Sequence, residues 1–578
     1  MKNREIAKIF YRLADYLDME NMPFKPYAYQ KAALVLQSLE QDISQIYAKG
    51  GLKALENIPG IGQSIARKIE EYLISGRIKY YEEFKKKLPL DLEEILSIEG
   101  MGPKKAKLLF QKLGLSTLKD LEEAARNHKI ASLPGFGQKS EKNILQGIAF
   151  LKKSQGRFLL GDILPYVKEI VEKLKKIKEV EKISPAGSVR RRKETIGDVD
   201  ILLTAKNAEK VMDFFVKLPG TEKVWMKGPT KSSLRTEQGF DLDLRVVKNK
   251  SYGSALQYFT GSKAHNIALR RLAIDRGLKL SEYGLFKGKR LIAGWNEAGI
   301  YKALGLDWIE PELRENQGEI EAALKQARGR PGGLPCLISY QDIKGDLHCH
   351  SDWDGGENSI KEMAESAQKM GYHYIGIADH TKFLKIERGL DEGQLALRNR
   401  QIDRLNRAYD NFRILKSAET NILSNGLIDI KNQALAKLDY VIAGVHSSFK
   451  MNKKEMTNRI IRAMKNPYVN IISHPTGRIL KRRDEYEIDF DMILRAARQY
   501  NVCLEINAYP KRLDLNDRAI YFCRQQGVKM AINSDAHRKE QLSFMEFGLM
   551  QARRGWAEKK NIVNSWPLKK LLAYFKND

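Results

Sequence analysis

Cysteine is scarce in this sequence, with only Cys336, Cys349, Cys503 and Cys523 among 578 residues. No two of them form a CxxC pair, which excludes a disulfide framework and a thiolate zinc site as organising devices. No run of 18 apolar residues occurs, so no spanning helix is expected. The start, Met1-Lys2-Asn3-Arg4-Glu5-Ile6, lacks an apolar stretch of secretory type. The cytoplasm is therefore the expected compartment, with no membrane partner. Histidine is nearly missing from the first part of the chain: seven of the nine follow residue 345. The commonest metal-binding side chain is thus segregated along the sequence.

The chain is too long for one hydrophobic core, so several domains are expected. Its formal net charge of +28 favours a polyanionic partner, although solubility or attraction to a membrane surface would need the same sign. Residues 1–150 read as helices broken by glycine turns. Residues 157–250 mix helices with strand-like runs such as Asp198–Leu203 and Phe240–Val247. Residues 251–315 look helical with a few short strands. Glycine and proline around a helical stretch mark 316–340 as a linker. From 341 to 578, apolar strands alternate with longer helical segments.

An internal repeat runs through the first part. Ile58-Pro-Gly60-Ile-Gly62, Ile98-Glu-Gly100-Met-Gly102 and Leu133-Pro-Gly135-Phe-Gly137 each lead into an amphipathic helix with Lys or Arg in its first turns. Two glycines let the backbone approach a ligand closely. The free N–H groups at the helix start then attract a phosphate, and lysines such as Lys104 add charge. This helix-hairpin-helix pattern grips a DNA backbone without reading bases.

Further along, Gly187-Ser188-Val-Arg-Arg191 precedes Gly197-Asp198-Val-Asp200, and Asp241-Leu-Asp243 follows on another apolar strand. Positions i and i+2 of a strand share a face, so Asp198 and Asp200 sit side by side. Carboxylates that close call for a cation, and hard oxygen ligands suit Mg²⁺ or Mn²⁺. Two such ions clamp the oxygens of a phosphoryl transfer.

These motifs, with Tyr258-Phe259-Thr-Gly261-Ser262, Asn266 and Arg270, resemble the DNA polymerase X family over residues 1–315. The resemblance implies an α+β nucleotidyltransferase palm with a thumb. Asp198, Asp200 and Asp243 would be the catalytic acids on two metal ions. Gly187, Ser188 and Arg191 would hold the incoming triphosphate, and Tyr258 and Phe259 would face its sugar. Asn266 and Arg270 would lie near the nascent pair and template. Two positions depart from the pattern of polymerase beta: Asp241 replaces an arginine and Lys263 an aspartate. In the first repeat, Lys68 matches a lysine that forms a Schiff base with an abasic sugar, and Lys25, Tyr29 and Lys31 match the same pocket. Tyr80, however, replaces one of its lysines. A lysine on a DNA-facing helix also serves as a plain phosphate contact, and both roles stay open for Lys68.

The last third ends one short apolar strand after another in a polar residue: His348 and His350, Asp379 and His380, Glu419, His446, His474, Glu505 and Asn507, Asp535 and His537. Spacings near thirty residues leave room for intervening helices, the cadence of a parallel β/α barrel. Such barrels gather functional residues at the C-terminal strand ends. So many mixed N and O ligands exceed one ion's needs, and two or three Zn²⁺ or Mn²⁺ ions fit them. The pattern resembles the polymerase and histidinol phosphatase (PHP) domain. The resemblance implies the ligands His348, His350, His380, Glu419, His446, His474, Asp535 and His537. Where that family has a further aspartate this chain has Gly355, which leaves Asp354 or Asp352 to substitute. Asp379 would orient His380 from behind, and Arg478 is a candidate phosphate contact.

The expected organisation is thus multidomain. A helical DNA-binding, lyase-like domain (1–85) and a fingers-like helical domain (86–154) precede the palm (155–255) and thumb (256–315). The linker (316–340) and an α/β PHP domain, a distorted β/α barrel (341–578), complete it. The expected activity is a monomeric repair polymerase that fills short gaps in primer-template DNA with dNTPs. Its PHP site would act as a 3′–5′ exonuclease, with abasic-site cleavage or 3′-end processing as a further role. Two rivals remain: a PHP phosphatase tethered to a DNA-binding scaffold, and a PHP barrel that is only structural.

Overall fold

A computed structural model describes residues 2–20, 22–39, 41–58, 60–87, 95, 98, 101–138, 140–142, 144–145, 148, 156–481 and 483–576. The first helix, Lys2–Met19, buries Ile6, Phe10, Leu13 and Leu17 at three-to-four-residue spacing. That stripe packs on the next helix, Lys25–Ser38. The first glycine repeat turns at Gly60, whose φ of 96° suits only glycine without strain. A Cβ there would meet Val35 Cγ2 at 2.9 Å. Gly62 then caps α1 (Gln63–Ser75). In the second repeat Gly102 caps α2 (Pro103–Leu113), and Pro103 stands where its missing N–H costs nothing. Gly100 lies outside the described residues. The third repeat turns at Gly135, φ 78°. There Glu141 accepts the N–H groups of Ile130 and Ala131 at 3.0 and 2.9 Å.

The central domain is a five-stranded sheet. Its strands are β1 (Val180–Pro185), β2 (Asp198–Ala205), β3 (Thr221–Lys227), β4 (Lys231–Thr236) and β5 (Asp241–Val246), in spatial order β1-β2-β5-β4-β3. A short helix, α3 (Gly187–Arg190), links β1 to β2. β2 and β5 run parallel, pairing Asp198 with Asp241 and Asp200 with Asp243. Alternation along β5 sends Leu242, Leu244 and Val246 into the core and leaves both aspartates on the other face.

α4 (Tyr252–Thr260) packs Ala255 and Leu256 against Leu202 of the sheet. α5 (Lys263–Asp275) opens the thumb. The stretch 316–340 is not a linker throughout. Its first half forms α6 (Glu319–Ala327), and Ile320, Ala322 and Ala323 join the thumb core. Buried Glu319 faces His265 Nδ1 at 2.6 Å. The helical stretch read within this segment is thus part of the thumb and not a spacer.

The last domain has short parallel strands. They are β6 (Gly345–Cys349), β7 (Tyr374–Ile377), β8 (Arg413–Lys416), β9 (Glu419–Asn421), β10 (Val441–Gly444), β11 (Val469–Ile472), β12 (Cys503–Asn507) and β13 (Met530–Asn533). They pair as β6-β7-β8 and β9-β10-β11-β12-β13, with β8 and β9 separated only by Ser417 and Ala418. Parallel bridges His380–Glu419 and Cys349–Ala536 join the two sheets at both seams. The result is the expected distorted barrel.

This domain docks directly on the polymerase-like part. Leu513, Phe547 and Met550 lie in the core cluster of the sheet domain, and Trp556 lies in the thumb core. Phe547 and Met550 come from α7 (Met545–Arg554). Gly161 abuts Pro510 so closely that a Cβ would fall 2.3 Å from the proline Cβ. No helix among the described residues is long and apolar enough to cross a membrane.

Candidate functional site

The parallel register of β2 and β5 brings Asp198, Asp200 and Asp243 together on one face. Burial, then the charges of Asp198 and Asp243, push the Asp200 carboxyl up to about 7. A cation between the three would remove that penalty. Asp243 is fixed by Ser233 Oγ at 2.5 Å and Lys231 Nζ at 2.8 Å. Asp241 shares the face but is claimed by Arg235 at 2.8 Å and the Trp225 indole at 2.9 Å. The extra acid is thus offset by protein groups and need not be offset by a further ion.

Gly187, with φ 57°, closes tightly on this cluster: a Cβ would sit 2.8 Å from Asp200 Oδ2. Ser188 follows on α3. The Arg191 guanidinium is held by Glu315 at 3.0 Å and donates to the Thr260 carbonyl. A Cβ on Gly261 would crowd Arg191 Nη1 at 3.1 Å. Tyr258 and Phe259 stack edge-to-face at 5.1 Å, flanked by Arg270 and Arg245 at 5.7 and 4.4 Å. Asn266 is buried, donating to the Tyr258 carbonyl at 2.6 Å and accepting from Gln257 at 2.7 Å. It therefore supports Tyr258 from behind. Lys263 lies over the Tyr11 ring at 5.9 Å, so it links thumb to N-terminal domain.

At the first hairpin, Lys68 lines a 540 Å³ cleft with Lys25, Tyr29, Gly62, Ser64 and Tyr80. Its ammonium lies 5.2 Å from the Tyr80 ring and 5.9 Å from that of Tyr29. Burial lowers its pKa, with Lys25 adding to the shift and Glu71 opposing it. Tyr80, the departure noted in the sequence, thus forms one wall of the cleft. Lys25, Lys31 and Lys104 are exposed around these hairpins.

In the barrel, Glu419 stands among five imidazoles. Its Oε2 lies 3.3 Å from His348 Nε2, 3.8 Å from His350 Nε2 and 3.0 Å from His380 Nδ1. Its Oε1 lies 3.3 and 3.1 Å from Nε2 of His446 and His474. Asp535 Oδ1 approaches His350 Nε2 at 3.4 Å and His537 Nδ1 at 3.9 Å. His348 Nδ1 faces Glu505 at 2.7 Å, which directs Nε2 inward. The positive φ of His474 (31°) and Asp535 (54°) marks backbone strain at these strand ends. Buried nitrogens of His348, His350, His380, His446 and His474 have no hydrogen-bond partner. Converging orphaned nitrogens beside carboxylates fit a divalent metal: His350–His380–His537, His348–His350–Asp535 and His380–Glu419–His446 each bring ligand atoms within 4.8 Å.

Family models match in chain order: helix-hairpin-helix domain over residues 1–78, SAM-like helix-hairpin-helix tandem over 92–149, DNA polymerase beta palm over 163–234, DNA polymerase beta thumb over 255–315 and PHP domain over 346–509. Along its full length the chain is 37% identical, over 583 aligned residues, to the DNA polymerase/3′-5′ exonuclease PolX of Bacillus subtilis (strain 168), covering 100% of both chains. The chain belongs to the PolX family. About a third of the chain is also similar to shorter proteins. A probable phosphatase of Caldicellulosiruptor bescii is 31% identical over 210 residues, 35% of this chain and 82% of that one. Another, from Acetivibrio thermocellus, is 29% identical over 202 residues, 33% and 78% respectively.

Within this chain, two expectations need correction and one alternative is decided. Asp379 does not orient His380: it accepts from Ser351 N–H at 2.6 Å and from Arg398 at 3.0 Å. Asp354 holds the histidines instead, facing His350 Nδ1 at 2.7 Å and accepting the His380 N–H at 2.8 Å. Asp354 is buried, whereas Asp352 is exposed. Arg478 is spent on Glu194 of the palm at 2.7 Å and on the Leu513 carbonyl, so that edge of its guanidinium is not free for a phosphate. Sequence reasoning also missed Ser473, which donates to Glu419 at 2.6 Å, and the orienting role of Glu505. Glu505 stands two residues before the end of its strand, a polar side chain in an apolar run, which was the available signal.

Proposed function

We propose that this chain fills short gaps in DNA as a family X polymerase and trims 3′ ends at its PHP site. The observation that carries the reading is the coexistence on one chain of two separate clusters of side chains suited to cations. One is built from Asp198, Asp200 and Asp243 on neighbouring parallel strands. The other centres on Glu419, within 3.8 Å of five histidines.

In the palm, Mg²⁺ or Mn²⁺ would supply charge neutralisation and oxygen activation when bound. The chain's own part is to keep three carboxylates within one small face, with Ser233 and Lys231 holding Asp243. Gly187 and Ser188 at the start of α3, with Arg191 just past its end, accommodate the dNTP triphosphate. Tyr258 and Phe259 wall the sugar, and Asn266 and Arg270 brace that wall. The hairpin glycines Gly60, Gly62, Gly100, Gly102, Gly135 and Gly137, with Lys25, Lys31 and Lys104, hold the DNA backbone. The lowered pKa of Lys68 in its cleft supports a lyase role as well as a phosphate contact.

In the barrel, His348, His350, His380, Glu419, His446, His474, Asp535 and His537 would hold two or three Zn²⁺ or Mn²⁺ ions. Asp354 and Glu505 aim His350 and His348 at them. The likeness to proteins named probable phosphatases favours a second reading, release of phosphate from small esters. One labelled, gapped duplex incubated with Mg²⁺ or Mn²⁺, with and without dNTPs, separates the readings. Gap extension with nucleotides and stepwise 3′ shortening without them are expected. Rapid hydrolysis of small monoesters with intact DNA would instead favour the phosphatase.

A further inference from the structure

We propose that Arg554, a residue of the PHP domain, is a positioning residue of the polymerase site. It ends α7 and is 4% exposed. Its guanidinium donates to the main-chain carbonyl of Arg191 at 2.7 Å and meets Glu315 Oε1 at 3.2 Å. Its other edge is taken by Asp517. Glu315 in turn receives Arg191 Nε at 3.0 Å and Lys193 Nζ at 3.8 Å. Arg554 therefore grips the segment after Gly187 and Ser188 twice, through its backbone and through the acid that holds Arg191. Arg478 secures the same segment one step later, on Glu194.

Charge counting shows what this nest does. Arg191, Lys193 and Arg554 face Glu315 and Asp517, which leaves one positive charge over. Such a surplus at partly buried depth attracts an anion. Arg191 commits Nε to Glu315 and Nη1 to the Thr260 carbonyl, so its remaining edge is the one presented to a triphosphate. Removing the Arg554 charge would make the nest neutral. Glu315 would then be left to Arg191 and Lys193 alone and would compete with the nucleotide for them. The inference rests on the reading of Arg191 as a triphosphate contact.

The test uses the full chain in single-nucleotide gap filling, with KM for dNTP and kcat resolved and inorganic tripolyphosphate as competitor. Arg554→Met should raise KM and the inhibition constant of tripolyphosphate together. About tenfold is expected for one unit charge lost from such a site, with kcat and 3′ shortening changed less than about twofold. The double variant Arg554→Met/Glu315→Gln restores the surplus and should recover most of the affinity. Arg554→Gln should repeat the loss if the methionine variant does not fold. An Arg554→Met enzyme with unchanged KM, beside an Arg191→Met enzyme with raised KM, would overturn the inference alone. Unchanged KM and tripolyphosphate inhibition in Arg191→Met would overturn the underlying reading.

Discussion

Replacing Glu505 by glutamine should weaken metal loading of the barrel while leaving its shape. The side chain keeps its size, and its four partners show what is lost. Oε1 serves His348 Nδ1 at 2.7 Å and Asn533 Nδ2 at 2.9 Å, whereas Oε2 serves the His474 N–H at 2.8 Å and Asn507 Nδ2 at 3.1 Å. All four are donors once His348 carries its proton on Nδ1. An amide offers one acceptor oxygen, so in either flip its NH₂ confronts two donors. A buried donor left unpaired costs about 1–3 kcal/mol. If the NH₂ turns to His348, the ring is free to rotate, and Nε2 loses its aim toward Glu419 and Asp535. Loss of such an outer partner lowers metal affinity about 10–100-fold. The assay is 3′ shortening of a labelled primer across a Mn²⁺ titration. The half-maximal concentration should rise by that factor, recover at high Mn²⁺, and leave dNTP incorporation unchanged. A Mn²⁺ dependence identical to that of the unaltered chain would refute the reasoning.

Other consequences follow from named contacts. Gly187→Ala places a Cβ 2.8 Å from Asp200 Oδ2 at a φ of 57°, so incorporation should fall at least about tenfold at unchanged far-ultraviolet circular dichroism. With chelator present, the raised Asp200 pKa means the folded state binds the proton more tightly than the unfolded one. The stability this contributes is complete below the ordinary carboxylate value and is lost as pH rises through about 7. Melting curves of the unaltered chain and Asp200→Asn should therefore differ in pH slope between about pH 4 and 7, and parallel curves would count against it. Asp354→Ala should impair shortening as severely as His350→Ala, whereas Asp352→Ala should not change it; equal effects of the two aspartate variants would contradict the assignment.

Strand periodicity made much of this legible. Asp198 and Asp200, two apart on an apolar strand, had to share a face, and so did Asp241 and Asp243. Seven strand segments ending in polar residues pointed to one barrel mouth, where the structure gathers the histidines. Contacts set by loops or by distant segments were not legible. Asp354 stands one residue from the expected place, and only the fold of the loop after His350 turns it inward. Arg478 looked available because Glu194 lies 284 residues away in sequence. Likewise Glu315, Arg191 and Arg554 meet only because α7 lies against the palm, which no local pattern encodes. The helical stretch at Glu319–Ala327 was legible, but not that its apolar face joins the thumb core.

The central claim, that synthesis and shortening belong to separate clusters, is tested most directly by two variants on one gapped duplex. Asp198→Ala/Asp200→Ala should abolish extension and keep shortening, while His350→Ala should do the reverse. Loss of both activities in either variant, with its fold intact, would contradict the account.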